Sequence, residues 1–267
     1  MIRLAKQTTR ITPWLGVCFG LILVGWPIVA EAVQFRPPTG RGIPGRREGG
    51  GTRGTLACVE GSIPITALTP DFVKDSGKSD NLSSNVGWTT AAYPRFFWYI
   101  PKTRAKTADF ILSEVDPQQP RSQKGVPLYR TTFSITGSPG IASLPLPSQA
   151  SIPPLEEGKI YRWTVGLNCE GNSEPNGHYV EGTIQRVQPK AALAAQLDRA
   201  NALGKVELYA NNGYWVDALT ELAELRYTSP KDTALVASWK EFLKSVKLEK
   251  VIDQPLIQCC QETSRTR

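Results

Sequence analysis

The chain has 267 residues, with 31 Lys and Arg against 24 Asp and Glu, a single histidine and a formal charge of +7. One histidine leaves no His-rich metal centre and only one candidate base, His178, for nucleophile–base catalysis. The basic surplus is concentrated near the N-terminus, so a generally basic surface for nucleic acid is not expected.

In chain order, residues 1–32 come first. Arg3, Lys6 and Arg10 form a positive start, Trp14 to Ala30 is uncharged and mostly apolar, and Ala30-Glu31-Ala32 supplies small residues around a cleavage point. That is the layout of a secretory signal peptide. The apolar run is long enough to raise a retained transmembrane anchor as the competing reading, but Pro27 and the alanine pair favour cleavage before Val33. Cleavage lowers the charge from +7 to +5, since three basic residues and one acidic residue leave. The expected mature protein is exported to the periplasm or beyond, with no transmembrane anchor.

Residues 33–54 follow, rich in Gly, Pro and Arg. GRGIPGRREGGGTRG, from Gly40 to Gly54, packs seven glycines and four arginines into fifteen positions. Gly45 and Gly50 have P-loop spacing, but Gly51-Thr52 follow where a Lys and a Ser or Thr are required, and no strand precedes them. No nucleotide or other cofactor is expected. The composition predicts a flexible arm. Arg41, Arg46, Arg47 and Arg53 are its candidate contacts with an envelope protein or an anionic glycan or surface. A further alternative is that its glycines let it lie against the folded body.

Residues 55–187 alternate apolar and polar positions in short runs between turn signals, which predicts an antiparallel β-sandwich. The runs are RFFWYI from Arg95, DFILSEV from Asp109, PLYRTTFSI from Pro127, IASLPL from Ile141, KIYRWTVGLNC from Lys159 and YVEGTIQRV from Tyr179. Phe96 and Trp98 share one face and are expected in the core. Phe97 and Tyr99 share the other, with helices expected to cover them. Leu155 to Val165 resembles the entry to the penultimate strand of fibronectin type III domains, which implies a buried Tyr161 ring with its hydroxyl bonded to nearby backbone.

Residues 188–252 turn to helical spacing. Tyr209, Gly213, Trp215, Ala218, Leu222, Leu225 and Pro230 resemble one tetratricopeptide hairpin, and Leu235, Trp239, Phe242 and Val246 line one side of a following helix. One repeat is too little for an independent solenoid, so docking on the sandwich is expected. The fold class is thus α+β: an immunoglobulin- or fibronectin III-like sandwich, a helical hairpin and one more helix.

Residues 253–267 form a tail bearing Cys259 and Cys260, which join Cys58 and Cys169 in the mature chain. Export makes disulfides the expectation, with three connectivities open. In a sandwich, the start of the first strand and the end of the penultimate strand meet at one pole, which favours Cys58–Cys169. Cys259 and Cys260 are then a vicinal pair or free thiols. Alternatively, each tail cysteine takes one partner in the β region.

RGIPGRREGGGTRG, YPRFFWYIP, LYRTTF, LEEGKIYRW, GTIQRV, LYANNGYWVDALTELAELR and the late Cys259-Cys260 pair together resemble an uncharacterised cyanobacterial family, domain of unknown function 928. The resemblance runs from about Arg41 to Cys260. It implies an exported protein of a photosynthetic bacterium and carries no activity or site residues.

No catalytic constellation stands out. His178 lies in the turn-rich GNSEPNGHY, no G-x-S-x-G occurs, and Glu156-Glu157, Asp109, Glu114 and Asp116 read as solvated charges around strands. The expected function is a non-enzymatic, envelope-associated binding module contacting another protein or a glycan. Besides the arm arginines, His178, Tyr214 and Trp215 are its expected contact residues. The competing expectation is a carboxylate-dependent hydrolase of wall or extracellular polysaccharide.

Overall fold

Alternation of apolar side chains produces ten strands among the described residues. In chain order they are β1 (Val59–Glu60), β2 (Thr66–Ala67), β3 (Val86–Thr89), β4 (Arg95–Ile100) and β5 (Lys102–Thr103). The rest are β6 (Thr107–Glu114), β7 (Pro127–Ser134), β8 (Gly140–Pro145), β9 (Ile160–Asn168) and β10 (Tyr179–Arg186). Helices α1 (Ala191–Leu197), α2 (Ala202–Asn211), α3 (Trp215–Thr228) and α4 (Thr233–Lys244) follow, and a 3₁₀ turn spans Glu249–Val251. The computed structural model describes residues 33–37, 46–49, 58–70, 86–116, 118–119, 127–149, 152–169 and 178–260.

The strands form a five-stranded sheet in the order β3-β10-β9-β6-β7, a three-stranded sheet β2-β4-β8 and a small β1-β5 pair. Every pairing is antiparallel except β3 on β10. The two larger sheets share one apolar cluster. Phe96 and Trp98 of β4 meet Phe110 of β6, Phe133 of β7 and Trp163 of β9 there. The Phe96 and Phe110 rings lie 4.9 Å apart, and Trp98 and Phe133 5.7 Å. At the corner before β9, the Tyr161 ring is buried and its hydroxyl accepts the Glu156 backbone N–H at 3.0 Å. The resemblance to the fibronectin corner implied that bond.

The opposite face of β4 belongs to a second cluster, in which Phe97 and Tyr99 pack with Ile141 against Ala218, Leu222, Trp239 and Phe242 of the helices. The result is three layers, with the three-stranded sheet buried between the five-stranded sheet and the helices. Helix boundaries follow local chemistry. Asn201 and Asp232 cap α2 and α4 by accepting backbone N–H groups, and Gly213 takes a φ of +85° in the turn into α3, a region hostile to a side chain.

Trp215 and Tyr214 are correspondingly buried, with 1% and 5% exposure, so neither offers the outer contact surface expected of it. The Trp215 ring stacks on Phe242 at 4.6 Å and 8°, and its indole N–H donates to the Leu68 carbonyl at 2.9 Å. One side chain therefore ties α3, α4 and the end of β2 together.

The arm departs from expectation too. Val33 and Phe35 enter the helix-side cluster, with the Phe35 ring edge-on to Trp215 at 5.1 Å. Two apolar residues on alternate positions suffice to dock this piece, and backbone donors strengthen it: Phe35 N–H meets Ser245 Oγ, and Arg36 N–H the Ala210 carbonyl. A flexible arm over 33–54 is therefore the wrong description for residues 33–37 and 46–49.

Asp217, in the first turn of α3, is buried against β3. Its carboxylate accepts the Thr90 hydroxyl at 2.7 Å and the Thr90 backbone N–H at 3.0 Å. Burial outweighs these bonds and lifts its pKa from 3.8 to about 6.

Two outcomes follow. Trp215→Ala leaves a cavity at the joint of three elements and lowers unfolding free energy by about 3–5 kcal/mol in urea melts. Because folded Asp217 holds its proton more tightly than the unfolded chain, its contribution is complete below about pH 4 and is lost as pH rises toward 6. The loss is on the order of 3 kcal/mol, and Asp217→Asn flattens that part of the stability–pH curve.

Candidate functional site

Most of the molecule's chemistry lies at one pole of the sheets, where β4, β7 and β9 end and β6 begins. Cys58 and Cys169 form a disulfide there, with Cα atoms 5.8 Å apart. Thr103 Oγ1 donates to the Cys58 carbonyl at 2.7 Å, and Arg104 N–H to the same oxygen at 2.9 Å. The cross-link thus pins the chain's approach to the first sheet strand onto the end of β9.

The C-terminal segment reaches the same pole by joining the free edge of β8. Ile141 N–H donates to the Pro255 carbonyl at 2.7 Å, and Ile257 N–H to the Ile141 carbonyl at 2.9 Å, a parallel pairing around Leu256. Tyr227 Oη donates to the Ile257 carbonyl at 3.2 Å. Gly140 permits the approach, since a Cβ there would meet Ile257 Cγ2 and sit 3.0 Å from the Pro255 oxygen. Cys259 and Cys260 follow and are bonded to each other, which answers the open question in favour of a vicinal pair.

Between this segment and the end of β7 lies a cavity of about 300 Å³, at the lower end of the usual small-ligand range. Ser134, Thr136, Ser138 and Gln258 supply its polar groups. Ile100, Ile257 and the Cys259–Cys260 disulfide supply its apolar wall. Among the described residues no acid, base or histidine lines it. A second, smaller cavity of about 20 Å³ lies between α3 and the sheets and also lacks a carboxylate.

The expected contact residues are scattered. Arg46 and Arg47 lie in the described stretch 46–49, which threads between the sheets. Gly49 N–H donates to Ile65 O, Ala67 N–H to Arg47 O, and Glu181 N–H to Arg46 O, each at 2.8 Å. The Arg46 guanidinium sits 4.5 Å above the Tyr179 ring. One Arg47 terminal nitrogen donates to the Val246 and Lys247 carbonyls in the turn beyond α4, at 2.8 and 2.7 Å. Lys250 and Glu48 add an ion pair at 3.0 Å. Over residues 46–49 the alternative of an arm laid against the body describes the molecule, and this stretch straps both sheets to the turn after α4. Arg41 and Arg53 lie outside the described residues.

His178 is half-buried beside Arg46, and burial followed by that positive charge pushes its pKa down. It neighbours no nucleophile in the cavity. The acids considered for hydrolysis have partners of their own. Lys159 pairs with Glu156 at 2.9 Å and Glu114 at 3.1 Å, and Thr132 donates to Asp109 at 2.6 Å. Among the described residues no group of three or more His, Cys, Asp or Glu is placed to hold a metal, and no helix is long and apolar enough to cross a membrane.

The model of the Domain of Unknown Function (DUF928) matches residues 48–256. The chain belongs to this family. Its match begins inside the strap at Glu48, covers all the described strands, the four helices and the pairing of Leu256 with β8, and stops just short of the vicinal cysteines. No curated protein and no solved structure matches the chain. The pocket itself was missed in the sequence because it needs residues 100, 134–138 and 257–260 at one place. The only local signal was the adjacent cysteine pair.

Peptide mapping without reductant is expected to recover Cys58 joined to Cys169 and Cys259 joined to Cys260. Replacing Cys58 and Cys169 together by Ala opens a loop with a sequence separation of 111, and the expected loss is about 4 kcal/mol in a denaturant melt. The same change at Cys259 and Cys260 costs far less, because a vicinal bond closes almost no loop.

Proposed function

We propose that this protein is an exported, non-enzymatic binding module of the cell envelope, and that it takes a partner protein or a glycan at the cysteine pole. The observation that carries this reading is the cavity of about 300 Å³, lined by neutral hydroxyls, an amide, aliphatic side chains and a disulfide, with no titratable group among the described residues. Such a lining can hold a ligand but offers no general acid, general base or activated nucleophile. Disulfides at the pole are in keeping with an oxidising compartment.

The finer fold reading fits this role. The strand orders β2-β4-β8 and β10-β9-β6-β7 correspond to the A-B-E and G-F-C-C′ orders of immunoglobulin-type sandwiches, with β3 lying parallel to the G-equivalent β10. In such domains the loops at the ends of the sheets serve as contact surfaces. The α2–α3 pair, with its small Gly213 and Ala218, is the tetratricopeptide-like element, and it covers the three-stranded sheet rather than presenting a groove.

The decisive experiment is crosslinking and recovery of partners by the tagged full chain in its native envelope, beside Ser138→Trp, which fills the cavity from an exposed position. The expected result is a processed protein in the envelope fraction whose partners are lost in Ser138→Trp and kept when Arg41 and Arg53 are changed to Ala. Recovery of the same partners at the same yield by Ser138→Trp, or a cytoplasmic and uncleaved product, overturns the proposal.

A further inference from the structure

The pocket's lining also restricts the chemistry of what enters it, and this inference rests on the binding role just proposed. A charged ligand would give up its hydration and meet no counter-charge from the described lining, none of whose side chains is ionisable. A wholly apolar ligand would strip water from Ser134, Ser138 and Gln258 and give their polar atoms nothing in return. Those three side chains make no hydrogen bond within the described residues, and the Thr136 hydroxyl only accepts the Ser138 N–H at 3.3 Å, so all four retain capacity for an incoming group.

The rest of the lining is of another kind. Ile100, Ile257 and the disulfide present carbon and polarisable sulfur. The wall is held in place by the two hydrogen bonds between the Pro255–Ile257 segment and Ile141, and by Tyr227 on the Ile257 carbonyl. Bonding Cys259 to Cys260 removes torsional freedom from the segment's end, so less order has to be gained when a ligand arrives. A ligand complementary to both sides has a rim of hydroxyls and a face of C–H bonds.

We propose that the pocket binds a neutral sugar residue of a glycan, with its hydroxyl edge on Ser134, Thr136, Ser138 and Gln258 and its C–H face on the Cys259–Cys260 disulfide. The disulfide is then a specificity element: it supplies the packing surface that an aromatic ring supplies elsewhere, at a pole where no aromatic side chain among the described residues lines the cavity.

The test is an amide NMR titration of the isotope-labelled full-length mature protein with three probes: methyl glucoside, N-acetylglucosamine and glucuronate. At least one neutral sugar is expected to give saturable shifts confined to residues 134–138 and 257–260, with glucuronate weaker by about tenfold or more. Ser138→Trp abolishes those shifts. Joint Cys259→Ser and Cys260→Ser weakens them by about fivefold or more while the melt stays native. Absence of saturable shifts at these residues with both neutral sugars, equal binding of glucuronate, or undiminished binding by the double serine variant overturns the inference. If partner recovery from the envelope still depends on Ser138 when no neutral sugar binds, the binding role stands and only the sugar assignment falls. If neither occurs, both fall.

Discussion

Strand β4 carries large apolar side chains on both faces, and a strand of that kind cannot lie on the outside of a two-layer protein. Phe96 and Trp98 on one side and Phe97 and Tyr99 on the other are each less than 5% exposed. One face is satisfied by the five-stranded sheet. The other would leave two aromatic rings in water unless something covered it, and burying such rings is worth a few kcal/mol each. The four helices follow from that requirement. They are not a separate module appended to the sheets, and residues from Ala32 onward cluster as one unit.

Covering a sheet with helices leaves the joint to be secured, and the chain secures it with polar groups at the edges of the apolar contact. The Trp215 indole N–H reaches the Leu68 carbonyl, and the Asp217 carboxylate reaches Thr90. The Gly- and Arg-rich segment closes the remaining side. Its glycines admit backbone between the sheets, as at Gly49, where any Cβ would collide with Ile65 Cγ2. Its arginines bring donors to the carbonyls beyond α4 and a cation to the face of Tyr179. A composition that resembles a disordered tether is used, over residues 46–49, as a strap.

The pole opposite the β9 corner shows the same economy with edges. Strand β8 would otherwise expose a row of unpaired backbone groups, a surface that invites association. The C-terminal segment covers part of it in parallel register and, in doing so, brings the vicinal disulfide beside the end of β7. The candidate pocket is a consequence of protecting that edge: one wall belongs to the sheets and the other to the protecting segment.

Periodicity in the sequence determined which stretches are strands and which face of β4 meets which layer, because a period of two assigns sides without any knowledge of neighbours. The resemblance to the fibronectin corner pointed to the Tyr161 bond, and the expected strand order to Cys58–Cys169. The short strand β3 escaped the periodicity, since VGWT is too brief to show alternation. Tyr214 and Trp215 were misassigned to the surface because burial of a helix's first turn depends on what packs over it. The fate of Arg46, Arg47 and Phe35 was likewise out of reach: Tyr179 under the Arg46 guanidinium, Val246 on the Arg47 side chain and Ser245 on the Phe35 N–H lie about 130 to 210 positions away, and no local pattern encodes contacts at that range. The pocket is of the same kind. Three separated segments form it, and only tertiary structure brings them to one place.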